Sequence, residues 1–212
     1  MSKTKVKGNV FNLTLLGVFI ALILMFTFSG IGYISLGFGF TVTVLPIVVA
    51  VGATLLSPAG GVVLGFTFGL TSLLTCVLGM DAMGVILFGI SPWRAAITCI
   101  IPRVFVGLLT ALIFKALQKI DKTKVVSYAV ACLCCPLLNT LLFLGTLWLC
   151  FGGDLASNAD LNALLGGSVN GIVAVFTVFA GVNGIVEAIA TTIVGTPIAK
   201  ALSVVKSKIS AE

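Results

Sequence analysis

Ten of the 12 Lys and Arg residues fall in three short segments that flank long apolar runs. Lys3, Lys5 and Lys7 precede the first run, and Lys115, Lys119, Lys122 and Lys124 sit in the one strongly charged internal gap. Lys200, Lys206 and Lys208 follow the last run. Juxtamembrane Lys and Arg resist translocation, so the three segments belong on the cytoplasmic side of a membrane. Both termini and the middle gap then share one side, and the chain crosses an even number of times. Arg94 and Arg103 are left over, toward the opposite face.

Composition agrees. A chain 59% hydrophobic and 8% charged, with mean hydropathy +1.28, is not an ordinary soluble domain, where roughly a quarter of residues are charged. Its 212 residues accommodate about six helices of ~20–25 residues with short connections. One membrane domain, residues 1–212, uses all of them. The net charge of +6 is accounted for by cytoplasmic flanks near anionic lipid, so nucleic acid is not an expected partner. The first apolar stretch, Val10 to Phe28, is longer than a signal-peptide core and reads as a retained span. Histidine is absent, which removes Ser-His dyads, His proton relays and His-containing zinc sites. The six cysteines lie in apolar runs and read as small buried hydrophobes, Cys132, Cys134 and Cys135 included. No cofactor is implied.

The expected fold is an all-α membrane protein with six transmembrane helices and both termini cytoplasmic. Span 1 is Val10 to Phe28, followed by a Gly-rich outer loop or short hairpin from Ser29 to Phe40. Span 2 is Thr41 to Leu56, with Pro46 in its first turns, and Ser57-Pro58 makes a tight turn into span 3, Ala59 to Leu78. Gly79 to Pro92 forms a second outer loop, and span 4 runs from Trp93 to Gln118 through Pro102. Span 5 is Val125 to Cys150, the third outer loop Phe151 to Ser168 holds Asp154 and Asp160, and span 6 is Val169 to Gly195. Pro197 begins a short tail.

Polar groups inside spans are costly, on the order of 2.5–3.5 kcal/mol for a mid-membrane charge, so the few present are informative. Arg94 stands beside Trp93 at the outer mouth of span 4, where a guanidinium suits a carboxylate or phosphate, or snorkels to the interface. Arg103 lies about 13 Å further along that helix. It pairs with Glu187 or with backbone groups as internal glue, or it meets a ligand; each of these readings stands. Asn139 and Thr140 occupy mid-span 5, and Asn183 and Glu187 share a face of span 6. Gly61, Gly65 and Gly69 step along one face of span 3, a surface for close packing within the protein. Gly17 and Ala21 do the same on span 1, where the approaching helix is internal or a partner's. No P-loop occurs, so ATP hydrolysis by that route is excluded. No nucleophile–base pair or metal cluster suggests an enzyme.

Taken together, the segments Gly37-Phe-Gly-Phe-Thr-Val-Thr-Val-Leu-Pro46, Ser57-Pro-Ala-Gly-Gly61 and Gly65-Phe-Thr-Phe-Gly-Leu-Thr-Ser72 resemble the span 2 to span 3 signature of substrate-binding S components of energy-coupling factor (ECF) vitamin transporters. Ser57 stands where that family usually has Gly. Ile101-Pro-Arg-Val-Phe-Val-Gly107, Asn139-Thr140 and Asn183-Gly-Ile-Val-Glu187 are similar to its pantothenate-type branch. The resemblance implies a multi-pass protein of a prokaryotic cell membrane that captures a vitamin and docks, through Gly17 and Ala21, on a transmembrane T subunit with two ATPases. The expected pocket opens outward between spans 4, 5 and 6. Arg94 meets an anionic group, Asn139 and Asn183 read hydroxyl or amide groups, and Tyr33, Phe38, Phe40 and Trp93 form the wall. Pantothenate fits that chemistry; folate, pyridoxine and similar vitamins are alternatives. From another class, a self-sufficient secondary carrier or small channel would use Glu187 as its ion site.

Overall fold

The computed structural model describes residues 3–30, 32–37, 40–121, 123, 125–157 and 184–211. Among these residues it is helical apart from one small hairpin. Helix α1 spans Lys3–Ser29, and the antiparallel strands β1, Tyr33–Gly37, and β2, Phe40–Thr43, follow it. Then come α2, Leu45–Leu55, α3, Pro58–Val77, α4, Ala82–Ile90, α5, Pro92–Leu117, and α6, Val126–Ser157. The last described stretch is α7, Gly184–Ala190, a π-helical turn at Thr191–Gly195, and α8, Thr196–Ala211. Among the described residues, five helical runs are long and apolar enough to cross a membrane: Val10–Ser29, Pro58–Val77, Pro92–Leu117, Val126–Asp154 and Gly184–Lys208.

The second expected span is built differently. Thr41 to Thr43 belong to β2, and α2 has 11 residues, a rise of about 16 Å against a hydrocarbon core of ~30 Å. Every α2 residue except Ile47 is buried. A helix apolar on all sides belongs inside a bundle, and α2 touches α1, α3, α5, α6 and α8. Pro46 sits in its first turn, as expected, where the missing N–H has no helical partner to lose. Ser57 caps α3 by accepting a bond from the Gly60 amide, with Pro58 at the first helical position.

Two expected loops are helix. Gly79 to Pro92 contains α4, capped by the Asp81 carboxylate on the Gly84 amide, and α4 packs Met83 and Leu87 against Leu144, Leu147 and Phe151 of α6. The expected loop from Phe151 begins as the last turns of α6. Pro197 does not end the final helix. Its ring conflicts with the carbonyl four residues earlier, Ile193, and the chain absorbs this as a π turn before continuing to Ala211.

The glycine stripe of α3 packs internally, as its spacing suggested. A Cβ on Gly61 would stand 2.5 Å from the Gly107 carbonyl oxygen of α5, one on Gly65 would collide with the Arg103 carbonyl, and one on Gly69 would lie 2.8 Å from Ile100 Cα. Backbone meets backbone along this seam. Helix α1 buries Phe19, Ile23 and Thr27, one residue per turn, and leaves Gly17 and Ala21 exposed on another face.

Candidate functional site

The site starts from a proline. Pro102 has no N–H, so in α5 the carbonyl of Thr98, four residues earlier, loses its helical donor. The next residue supplies one: Arg103 Nη1 donates to the Thr98 oxygen at 2.9 Å. That bond directs the guanidinium along the helix, and two rings hold it in place. Its carbon lies 4.6 Å from the Phe143 centroid on α6 and 5.6 Å from that of Phe68 on α3. Arg103 is 9% exposed, its Nε has no hydrogen-bond partner, and no carboxylate lies within 4.0 Å of it among the described residues. Of the two expected forms of internal glue, the Arg103–Glu187 pair is absent there and the bond to a backbone group is present.

A buried cation without a counter-ion is expensive, and this one borders a cavity. Ser72 and Cys76 of α3, Asp81 before α4, Thr98 and Cys99 of α5 and Phe143 of α6 enclose it with Arg103. Asp81 lies across the space, beyond ion-pair distance. The walls thus offer a guanidinium, a carboxylate and hydroxyls, with Met83, Leu87 and Ala95 as apolar lining. The Cys76 and Cys99 sulfurs are 3.9 Å apart and both thiols are free. The cavity measures ≈ 40 Å³, room for little more than water, so a vitamin-sized guest requires α4 and its flanks to move. Asn139 stands one helical turn before Phe143 on the same face of α6, and its buried Oδ1 has no hydrogen-bond partner.

Glu187 is engaged elsewhere than its sequence position suggested. Its Oε1 accepts bonds from the Thr43 amide at 2.8 Å and the Thr43 hydroxyl at 2.9 Å, and the residue is 6% exposed. It ties α7 to the root of the hairpin. Glu187 lies at the hairpin end of a helical run that continues 16 residues past the π turn.

Of the other residues singled out, Arg94 is joined to a partner invisible in the sequence. Its Nη1 donates to Asp154 Oδ2 at 2.7 Å and to the Cys150 carbonyl at 2.8 Å, and its guanidinium lies 4.7 Å from the Phe151 ring centroid. This clasp fixes the end of α6 to the start of α5. With the two side chains 38% and 32% exposed, solvent screens the pair, and a double-mutant cycle with Arg94→Gln and Asp154→Asn should give a coupling of about 0.2–1 kcal/mol in thermal unfolding. A coupling above about 3 kcal/mol would contradict the screened clasp. Trp93 is 77% exposed and stands off the cavity. Tyr33 and Phe40 belong to β1 and β2, but their side chains lie outside the described residues, as do Phe38, Asn183 and Asp160 altogether. Among the described residues nothing lies within 4 Å of a Cβ at Gly17, and Ala21 is exposed one turn on.

The sequence reading underweighted Arg103 and did not single out Asp81, Phe143 or Thr98 for the site. A usable signal was present: Thr98 precedes Pro102 by four residues and Arg103 follows it directly, a spacing that frees a carbonyl and provides its donor. Residues 11–199 match a family model described as ECF transporter, substrate-specific component. No curated protein matches the chain.

Proposed function

The chain belongs to the ECF transporter substrate-specific component family, and from that premise we propose that it captures a small anionic micronutrient in the cavity at Arg103 and hands it to an energising module. A member of this family is a substrate-binding transport subunit rather than an enzyme, and it works with T and ATPase subunits. The observation that carries the site assignment is the buried guanidinium of Arg103, which faces a cavity with no carboxylate within ion-pair distance among the described residues. An incoming carboxylate or phosphate supplies the missing counter-charge, and Asn139 and Asp81 read hydroxyl, amide or amine groups. Arg94 stands at the entrance as the clasp to Asp154. The hairpin residues Tyr33 and Phe40, with Asn183 and Trp93, complete the walls around the ligand when the site fills. Pantothenate matches this donor set, with a carboxylate, an amide and hydroxyls beside an apolar gem-dimethyl group. The placement of basic residues supports a six-span topology with both termini and Lys119–Lys124 in the cytoplasm, and that reading requires α2, though shorter than a full span, to make the second crossing.

The same proposal assigns the exposed Gly17/Ala21 face of α1 to the T subunit. Among the described residues nothing stands within 4 Å of a Cβ at Gly17, and Ala21 is exposed, so with Gly17→Leu or Ala21→Leu ligand binding should stay within two-fold. Uptake by cells carrying the complete transporter should fall at least ten-fold, because the partner helix is held away. Parallel loss of binding and uptake would show that the face serves the fold instead.

A further inference from the structure

A second cleft lies at the opposite end of the bundle, of ≈ 390 Å³, between the start of α3, the end of α5, the start of α6 and α8. Lys115, Gln118, Tyr128 and Lys206 line it, and the amino-terminal end of α3 at Ser57-Pro58 opens into it. No acidic residue is among its lining residues. Lys206 Nζ is drawn inward and donates to the Leu55 carbonyl at 2.5 Å. Lys200 extends the positive charge, its Nζ 5.8 Å from the Tyr128 ring centroid. Tyr128 is 5% exposed and lines the cleft. The nearest acidic group in sequence, Asp121, is already committed. Its carboxylate accepts from the Ser127 amide at 2.7 Å and from the Thr123 hydroxyl at 2.7 Å, bonds that hold its pKa well below the usual carboxylate range.

We infer that this cleft binds a phosphate-type anion, supplied by the headgroup of an acidic phospholipid. Two ammonium groups, the positive end of the α3 dipole and hydroxyl and amide donors converge on one space without a competing carboxylate. Exposed apolar side chains flank it, Leu112 on α5 and Val204 and Val205 on α8, so acyl chains can lie along the bundle while the phosphate enters. A free phosphate would gain nothing from those flanks. Basic pockets between helices at the cytoplasmic surface suit such headgroups.

The test is native mass spectrometry and thermal unfolding of the full chain in phosphatidylcholine nanodiscs, with or without phosphatidylglycerol, and in detergent with inorganic phosphate. The expected result is retained phosphatidylglycerol and a higher Tm with that lipid. Retention should drop at least five-fold in Lys115→Met and in Lys206→Met, while Lys119→Met, a basic residue outside the cleft, behaves as wild type. Lys115 has no bond in the described structure to lose, so its variant keeps the test valid if Lys206→Met unfolds. Equal stabilisation by inorganic phosphate would support the anion site and reject lipid as its source. Equal phosphatidylglycerol retention in Lys115→Met, or no preference over phosphatidylcholine in wild type, would overturn the inference.

Discussion

Replacing Arg103 with Met should weaken binding of the native ligand by about 2–5 kcal/mol, roughly 30- to 5,000-fold, the cost of truncating one member of a desolvated charged contact. The same substitution should leave Tm unchanged or raise it. A buried charge is costly in the empty protein, and an apolar side chain of similar length fills its place between Phe68 and Phe143. Arg103→Lys should recover part of the affinity, because an ammonium keeps the charge and loses the planar fork. Loss of binding alongside a large drop in Tm would assign Arg103 to the fold instead.

Gly65→Val is expected to have the largest effect on stability. Its Cβ meets the Arg103 carbonyl oxygen and Val104 Cα, which are backbone atoms and cannot rotate away. Either α3 and α5 separate or the segment carrying Arg103 shifts, so the cost should reach or exceed the upper end of the 1–3 kcal/mol typical of overpacking, roughly 3 kcal/mol. Thermal unfolding should show a lowered Tm and ligand binding should fall with it. Gly145→Ala is the control, since among the described residues nothing stands within 4 Å of a Cβ there. Similar Tm values for the two variants would refute the close seam.

The long helices were legible because apolar runs end at strong signals: Ser57-Pro58 opens α3, and Lys119 and Asp121 follow the last turn of α5. The glycine stripe was legible because residues four apart share a helix face. What escaped depended on packing. Helix α4 is nine residues, too short for periodicity to separate it from an apolar loop. The last helix passes Pro197 because a π turn accommodates it. The partners of Arg94 and Glu187 are 60 and 144 residues away in sequence, and local spacing carries no trace of either contact. The same holds for the cavity, which needs α3, α4, α5 and α6 together. Charge type was readable at the level of the site, since both arginines were recognised as exceptional. Which of them has no carboxylate within ion-pair distance among the described residues was decided by tertiary structure.

The most direct measurement is native mass spectrometry of the chain purified from membranes, comparing wild type with Arg103→Met and identifying any small molecule that leaves on activation. The account predicts one ligand per wild-type chain, carrying a carboxylate or phosphate, and little or none on the Arg103→Met variant. Equal occupancy of both proteins, or a ligand that bears no acidic group, would contradict it.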